Sequence, residues 1–451
     1  MLFKLKKKRL IENVALLISI FFPPEPGGGS TAAWNRGVIL DKIGYSVYIV
    51  TGFPSYPSGK VLDPKYKGKL FYVEKVEYFT LIRLKLLPLE YKGYLNRLVI
   101  FLNFIFLAIV YMPKILKITS RIDLVYSIAP IIFSSFCGLI YSKITGSFFI
   151  YEVSDLWPDE LVVFKTKFLP LIMFFGRIVA KLSYIGPDLI VTISELAAEH
   201  VSKQYSPKAS VRHLPIGVDT SKFHRLPKQT SREDLIKKQI LPSETGDKFI
   251  ILYSGLISNA TQVDNLAYAA HRIMKHDDHR EVVILIVGEG HGKKRLEQLK
   301  IQYNLSNFYL LSFQPREVMP TIISAADVCV VSLPADPIFD VDVPSKFYEY
   351  LACCKPFIGI CRGEPARIIN SYNIGRTTEA DDIDELVSII TNFKNSPDLL
   401  ETMQNNSYML LQKFSLDSLA SYFLNILNKE RNDKRKTAEF FNSSADNPSL
   451  L

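Results

Sequence analysis

The chain is poor in cysteine chemistry. Its five cysteines, Cys137, Cys329, Cys353, Cys354 and Cys361, form an odd set without a CxxC pair, and most lie in apolar runs where a free thiol behaves as a small hydrophobe. That spacing matches neither a disulfide framework nor a zinc motif, and it points to a reducing compartment. Long hydrophobic runs are missing as well: no unbroken stretch reaches the length of about 20 residues that spans hydrocarbon, which excludes a multi-span membrane protein. There is no repeat of solenoid period. No recognised nucleic-acid module is present, and the lysines and arginines are spread along the chain, so nucleic-acid binding is set aside. A complete GxGxxG fingerprint is absent too.

What is present is a globular composition. At 451 residues the chain exceeds what one core supports, so two domains of roughly 200 residues each are expected. Apolar residues make up 48% and charged residues 22%, values of a folded chain. The net charge of +9 and pI near 9.0 suit an anionic partner, whether nucleic acid, a membrane surface or a phosphorylated small molecule. The N-terminus carries a basic stretch, Lys4 to Arg9, and an apolar run, Val14 to Phe22, but Pro23 to Gly27 follow where a signal peptide would need small residues before its cleavage site. The run reads instead as a first strand, and the leading lysines could still touch anionic lipid, at about 1 kcal/mol each.

Short β-branched runs alternate with amphipathic ones, as in βαβ units around a parallel sheet. Strands are expected at Val14 to Phe21, Val47 to Thr51, Leu124 to Ser127, Phe148 to Glu152, Leu189 to Ile193 and Ser210 to Leu214, with helices at Thr31 to Ile43, Ile131 to Ile144 and Glu195 to Gln204. After a polar stretch, the alternation restarts with strands at Phe249 to Tyr253, Val282 to Val287, Phe308 to Leu311, Val328 to Ser332 and Pro356 to Ile360, and helices at Val263 to Lys275, Gly292 to Gln302 and Arg316 to Ala325. Helices at Asp381 to Lys394 and Leu399 to Asn428 close the fold. The expected layout is an N-terminal Rossmann-like domain over 1–225, a linker over 226–247, a C-terminal Rossmann-like domain over 248–430 and a disordered tail over 431–451, the two domains facing each other across a central crevice. Two apolar stretches stand apart. Leu98 to Met112 is interrupted only by Asn103 and is compatible with a buried, interfacial or spanning helix; Phe168 to Ile185 carries Arg177 and Lys181 among Leu, Ile, Met and Phe.

Candidate chemistry clusters at strand ends. Gly28 and Gly29, in the turn Pro26 to Ser30 between a strand and a helix, would let a ligand approach the backbone at a helix N-terminus, although a plain tight turn reads the same way. Asp155, in YEVSDLWPDE (Tyr151 to Glu160), follows the fourth strand and is either a crevice acid or the cap of the next helix. Ser254 and Gly255 end the first strand of the second domain, leaving room for a diphosphate, and Glu289 in VGEG could sit beside a nucleoside; both also fit ordinary strand-to-helix turns. The richest segment is Pro344 to Pro356, PSKFYEYLACCKP. Pro344 opens a helix, Ser345 and Lys346 present a hydroxyl, backbone N–H groups and a cation, and Glu349 lies one turn on. Phosphate would fit Ser345 and Lys346, with ribose hydroxyls at Glu349, but a capped surface helix start is the competing reading.

Taken in order, FFPPEPGGGS, YEVSDLWPDE, TISE (Thr192 to Glu195), PIGVD (Pro215 to Asp219), YSGLISNATQVDNL, ILIVGEG, SAADVCVVSLP and PSKFYEYLACCKP make the chain resemble the family 4 retaining glycosyltransferases of GT-B fold, and most closely the O-antigen and capsule branch that includes fucosamine transferases. The resemblance covers about Val14 to Phe423. It implies a sugar transferred from a UDP- or GDP-type donor with retention of configuration and no cofactor or protein-bound metal. Lys346, Ser345, Ser254 and Gly255 would take the phosphates and Glu349 the ribose, with Glu289 near the nucleoside. Asp155 and Lys346 would be the catalytic groups, and Gly28 and Gly29 would line the acceptor side. The acceptor would be a lipid-linked or cell-surface glycan, reached from the cytoplasm by peripheral contact with the anionic inner face of the membrane. Three positions depart from the family pattern. Val341 stands where a sugar-binding glutamate is usual, flanked by Asp340 and Asp342. Ile216 replaces the asparagine of an Asn-Gly-Val-Asp turn. Residues Ser258 to Gln262 lack the usual basic pair, a gap that Lys346 would fill. A non-catalytic GT-B subunit and a nucleotide-sugar epimerase of the same fold stay open as alternatives.

Overall fold

The computed structural model describes residues 13–129, 133–163, 169–258, 261–275 and 281–446. The Lys4 to Arg9 stretch, the start of the helix expected from Ile131, and Asn259 and Ala260 lie outside them. The chain forms two units, one from residues up to Ile193, Ala198–Leu214 and the chain from Leu419 onward, the other from Ser194–Ala197 and Pro215–Ser418.

In the first unit, β1 (Asn13–Ile18), β2 (Tyr45–Gly52), β3 (Phe71–Val76), β4 (Phe79–Leu84), β5 (Leu124–Ala129), β6 (Phe148–Val153), β7 (Leu189–Thr192) and β8 (Ser210–His213) build an eight-stranded sheet in the order β3-β4-β2-β1-β5-β6-β7-β8. Its helices are α1 (Gly28–Lys42), α2 (Tyr94–Val110), α3 (Met112–Thr119), α4 (Phe133–Thr145), α5 (Leu169–Ser183) and α6 (Glu195–Tyr205). Every strand but β3 runs parallel, and the central runs, such as NVALLI in β1 and FFIYEV in β6, are buried on both faces, as a parallel sheet covered by helices requires. The β3–β4 hairpin was not expected. Strand β3 places Glu74 and Lys75 side by side among apolar residues, and the turn uses Glu77 at φ +47 rather than the Asn-Gly chemistry that flags a hairpin.

A charged knot lies at the centre of this unit. Arg36 on α1 and Glu152 on β6, both fully buried, pair at 2.5 Å; Tyr126 donates its hydroxyl to the same carboxylate, and the Arg36 guanidinium also donates to the Leu214 carbonyl at 2.6 Å. A buried charge that loses its partner costs about 3–5 kcal/mol. Arg36→Ala is therefore expected to lower the chemical-denaturation stability of the chain by about that amount, whereas the conservative change Tyr126→Phe removes only one donor and costs about 1 kcal/mol.

In the second unit, β9 (Phe249–Ser254), β10 (Val282–Val287), β11 (Phe308–Leu311), β12 (Val328–Ser332), β13 (Phe357–Ile360) and β14 (Gly375–Thr378) form a parallel sheet in the order β11-β10-β9-β12-β13-β14. This is the doubly wound dinucleotide-fold order, with the direction reversing between β9 and β12, so ligands bind at the C-terminal ends beside β9. The helices are α7 (Lys228–Lys237), α8 (Asp264–Met274), α9 (Lys293–Gln302), α10 (Met319–Ala325), α11 (Ser345–Ala352), α12 (Gly363–Ser371), α13 (Ile383–Asn395) and α14 (Pro397–Phe414). A last helix, α15 (Leu416–Asp446), follows.

Three boundaries differ from expectation. The segment 226–247, expected as a linker with a short helix, carries that helix as α7 but belongs to the second unit, where Arg232 donates to the Ala325 carbonyl and pairs with Asp327 at 2.7 Å, with Lys228 on the other carboxylate oxygen at 2.8 Å. The single helix expected over Leu399 to Asn428 breaks at Ser415, an extended residue beside which Val218 exchanges backbone hydrogen bonds with Phe414 and Leu416. Finally, the helix continues to Asp446 where a disordered tail over 431–451 was expected. Leu416, Leu419, Ala420, Phe423, Ile426 and Leu427 form its buried stripe, Phe423 packs against Tyr126, and Glu430 pairs with Arg212 at 2.8 Å. Polar composition hid an amphipathic helix anchored on the first unit.

Candidate functional site

The second unit places its sequence-selected residues together. Strand β9 ends in Ser254 with Gly255 next, β10 ends beside Gly288, Glu289 and Gly290, and α11 begins at Ser345, its N-cap Pro344 extended. The two strand-end loops interlock through their backbones: Gly255 N–H donates to Val287 O, Ile257 N–H to Glu289 O and Gly292 N–H to Ile257 O, at 2.9–3.1 Å. Gly290, at φ +151, lies so close that an added Cβ would stand 2.0 Å from the Ile257 carbonyl oxygen. Only glycine permits that approach.

Lys346 is the cation of this corner. Its ammonium sits 3.9 Å from the centre of the Tyr253 ring, and a Cβ placed at Gly255, itself at φ +128, would come within 2.9 Å of Nζ. The bare glycine thus leaves room for the lysine at the end of β9, next to the first turn of α11, whose open backbone N–H groups favour an anion. The helix starts one residue later than expected, at Ser345, with the extended Pro344 as its N-cap. Ser254 has a protein partner that was not expected: its N–H donates to the Tyr350 hydroxyl at 2.8 Å, and its own hydroxyl lies 3.0 Å from the same oxygen. These hydrogen bonds fix α11 against β9 through Tyr350, a residue not singled out in the sequence.

Glu349, one turn beyond Ser345, is largely buried, and that burial pushes its carboxyl up from the usual glutamate range, opposed by the nearby Arg316 and Lys346 cations. Arg316 approaches it at 3.1 Å while its guanidinium lies over the Phe223 ring at 5.2 Å. Arg316 was not anticipated, because it lies in the β11–α10 connection, far from PSK in sequence. Removing it takes away the first of the two cations that oppose this burial, so Arg316→Ala should push the Glu349 carboxyl up further; following the Glu349 carboxylate in an NMR pH titration of the parent and the variant checks this. Glu289 lies at the rim, paired with Lys293 at 2.7 Å. The Lys293 hydrogen bond, chiefly, holds its carboxyl below the usual range. Val341 ends the short 3₁₀ turn Pro337–Val341, whose start is capped by the Asp336 side chain accepting from Ile338 N–H at 3.1 Å, and Asp340 faces Arg362 at 3.6 Å.

The first unit gathers its candidates at the C-terminal edge of its own sheet. Gly28 and Gly29 are exposed and open α1, following β1, and Gly27 before them holds φ +114. A Cβ at Gly29 would meet only Phe21 at 3.6 Å, so the protein does not fill the space above this helix N-terminus. Glu25, buried just before it, accepts from Ser55 and Tyr56 N–H at 2.9 and 3.0 Å and ties the β2 loop to the glycine turn. Asp155 follows β6. It is exposed at the surface, yet the protein crowded around it pushes its carboxyl up to about 6. It is not the helix cap, because the next helical turn, Asp159–Val163, begins four residues later, and the Leu156 N–H between them goes to the Glu160 carboxylate at 2.7 Å. Asp159 anchors the loop instead, accepting from Arg177, His200 and Tyr205. Among the described residues no group of three or more His, Cys, Asp or Glu could hold a metal ion.

Two Rossmann-like units with parallel sheets define the GT-B fold, and solved structures agree. Sucrose-phosphate synthase of Thermosynechococcus elongatus superposes with a TM-score of 0.71 at 19% identity, over 93% of this chain and 99% of that one. Anabaena HepE in complex with UDP-glucose gives 0.66 at 15% identity, over 92% and 100%. Residues 234–409, within the second unit, match the family model described as glycosyl transferases group 1. The putative colanic acid biosynthesis glycosyl transferase WcaI of Escherichia coli K12 is 23% identical over 349 residues, 75% of this chain and 80% of that protein.

Proposed function

We propose that the chain is a glycosyltransferase that moves a sugar from a nucleoside diphosphate donor to a lipid-linked or cell-surface glycan at the cytoplasmic face of the membrane, with retention of configuration. The observation that carries the reading is Lys346, seated in the space left by Gly255 at the opening of α11 and beside the glycine-built ends of β9 and β10. A diphosphate there would meet the ammonium, the Ser345 hydroxyl and the N–H groups of the first helical turn. Glu349 would accept from the ribose hydroxyls. As the glycosidic bond to the donor breaks, negative charge gathers on the departing diphosphate, and a fixed cation aimed at it lowers the barrier without reorganising solvent. Asp155 would orient or deprotonate the acceptor hydroxyl. The donor class is supported by the glycosyl transferases group 1 match over the second unit and by HepE, solved with UDP-glucose; the glycan acceptor is supported by WcaI, named for colanic acid biosynthesis.

A second reading, a GT-B subunit that binds donor without turnover, is favoured by Val341, which puts an apolar side chain where the resembled family carries a sugar-binding acid. Incubating the chain with a panel of UDP- and GDP-sugars and a membrane-lipid extract separates the two. Release of UDP or GDP with a glycosylated lipid product is expected, whereas bound donor with no nucleotide release would establish the subunit reading.

A further inference from the structure

The connection that leaves β6 carries Asp155 and closes on itself. Trp157 N–H donates to the Asp155 carbonyl at 2.9 Å, Leu156 N–H to the Glu160 carboxylate at 2.7 Å, Glu160 N–H to the Leu156 carbonyl at 3.1 Å and Leu161 N–H to the Pro158 carbonyl at 2.8 Å. Segment 155–161 therefore behaves as one piece, and what holds Asp159 also holds Asp155. Asp159 is 7% exposed, and both of its carboxylate oxygens are taken. Oδ1 accepts from Nε and Nη2 of Arg177 on α5, each at 3.2 Å, while Oδ2 lies 3.1 Å from His200 Nε2 and accepts from the Tyr205 hydroxyl at 3.2 Å, both on α6. Burial opposes ionisation there, yet His200 and Arg177 hold the carboxyl below the usual aspartate range. An acid so buried does not shed its donors without a penalty.

Two further contacts brace the same piece. Gly176 of α5 lies so close to it that an added Cβ would stand 2.7 Å from Pro158 Cβ. The rings of Tyr151 on β6, Tyr184 after α5 and Tyr205 on α6 form a row with centroids 6.0 and 5.0 Å apart, tying α6 to the strand that feeds the loop. Three side chains thus converge on one carboxylate in the turn that carries the exposed Asp155. We propose that His200 and Arg177, acting through Asp159, and Gly176, acting through Pro158, are positioning residues that set where the Asp155 carboxylate stands; the consequence for turnover rests on the acid–base role given to Asp155 in the transfer reaction. A reacting group displaced by about 1 Å can lose two orders of magnitude in rate, so this clamp controls kcat from outside the reacting groups. A proton-transferring side chain carried on a loop requires rigid support of this kind.

Two readouts on the full chain test this: the Asp155 carboxyl followed by NMR from about pH 4 to 8, which needs no turnover, and kcat with donor KM from nucleotide release. The protein around Asp155 puts the parent carboxyl at about 6. His200→Leu removes one donor to Asp159, and Gly176→Ala leaves every donor in place but pushes on Pro158. In both, the Asp155 titration should move back toward the ordinary aspartate range, and kcat should fall about tenfold or more with donor KM unchanged. Arg177→Gln, at a half-exposed position, should act in the same direction. His200→Gln, which keeps an N–H donor for Asp159, should restore both readouts. The proposal is overturned if the Asp155 titration in folded His200→Leu and Gly176→Ala stays at the parent value. It is equally overturned if His200→Gln fails as His200→Leu does, since the imidazole would then serve packing alone. Should Asp155→Asn turn over as the parent does, the catalytic reading of Asp155 falls, and the titration still decides the clamp.

Discussion

Lys346→Ala is expected to weaken binding of the donor nucleotide about 10- to 100-fold, the loss associated with a charge-assisted hydrogen bond or two at a diphosphate. The fold should survive, because the Lys346 contact over Tyr253 at 3.9 Å is worth about 0.5–1 kcal/mol at a partly exposed site, and Arg316 stays beside Glu349 when the Lys346 charge is lost. Calorimetric titration with the diphosphate and with the matching nucleoside separates the roles. The variant should lose affinity for UDP or GDP yet keep that for uridine or guanosine, whose recognition falls to other residues. Lys346→Arg should recover part of the loss, since the charge is kept while the compact ammonium is not. Unchanged diphosphate affinity in Lys346→Ala would remove the anion from this corner.

Asp155→Asn should lower kcat by about 10²–10⁴, the usual contribution of a positioned acid or base, without loss of stability. The second half of that statement follows from sign. Crowding raises the folded-state carboxyl to about 6, above its unfolded value, so the ionised form is disfavoured by folding. That penalty is absent below the unfolded pKa and fully present above about pH 6. Replacing the carboxylate with a neutral amide should leave thermal stability at pH 7 to 8 equal or higher. With Asp155 acting as proposed, the ionised form is lost as pH falls, so the parent chain's kcat/KM should drop about tenfold per unit below pH 6, a limb that Asp155→Asn lacks. A pH–rate profile of the parent and the variant reads both effects.

Much of the second unit was legible because its strands are unbroken apolar runs. FIILYS and VVILIV cannot be helices of comparable length with a charged face, and they fix where the strand ends and their glycines fall. The Pro-Ser-Lys start of α11 was legible for the same reason: proline and small polar residues mark a helix N-terminus. Contacts that join distant segments were hidden. Arg316 meets Glu349 only because β11 and the start of α10 converge on α11, and nothing local in its sequence marks it. The Tyr350 partner of Ser254 was equally hidden, since its hydroxyl comes from what looks like an apolar helix face. In the first unit, the raised carboxyl of Asp155 depends on the density of protein around an exposed side chain, which no motif encodes. The β3–β4 hairpin escaped notice because Glu77 takes a positive φ without glycine, and the terminal helix because its buried stripe is diluted by Asn, Lys and Arg.

The central claim is that a nucleoside diphosphate occupies the corner between β9, β10 and α11, and backbone hydrogen exchange with and without saturating UDP or GDP tests it most directly. The account predicts slowed exchange in 253–258, 288–292 and 344–350 with at least one of the two nucleotides, and its disappearance in Lys346→Ala at the same concentration. Protection confined to other segments, or none with either nucleotide on a folded chain, would contradict it.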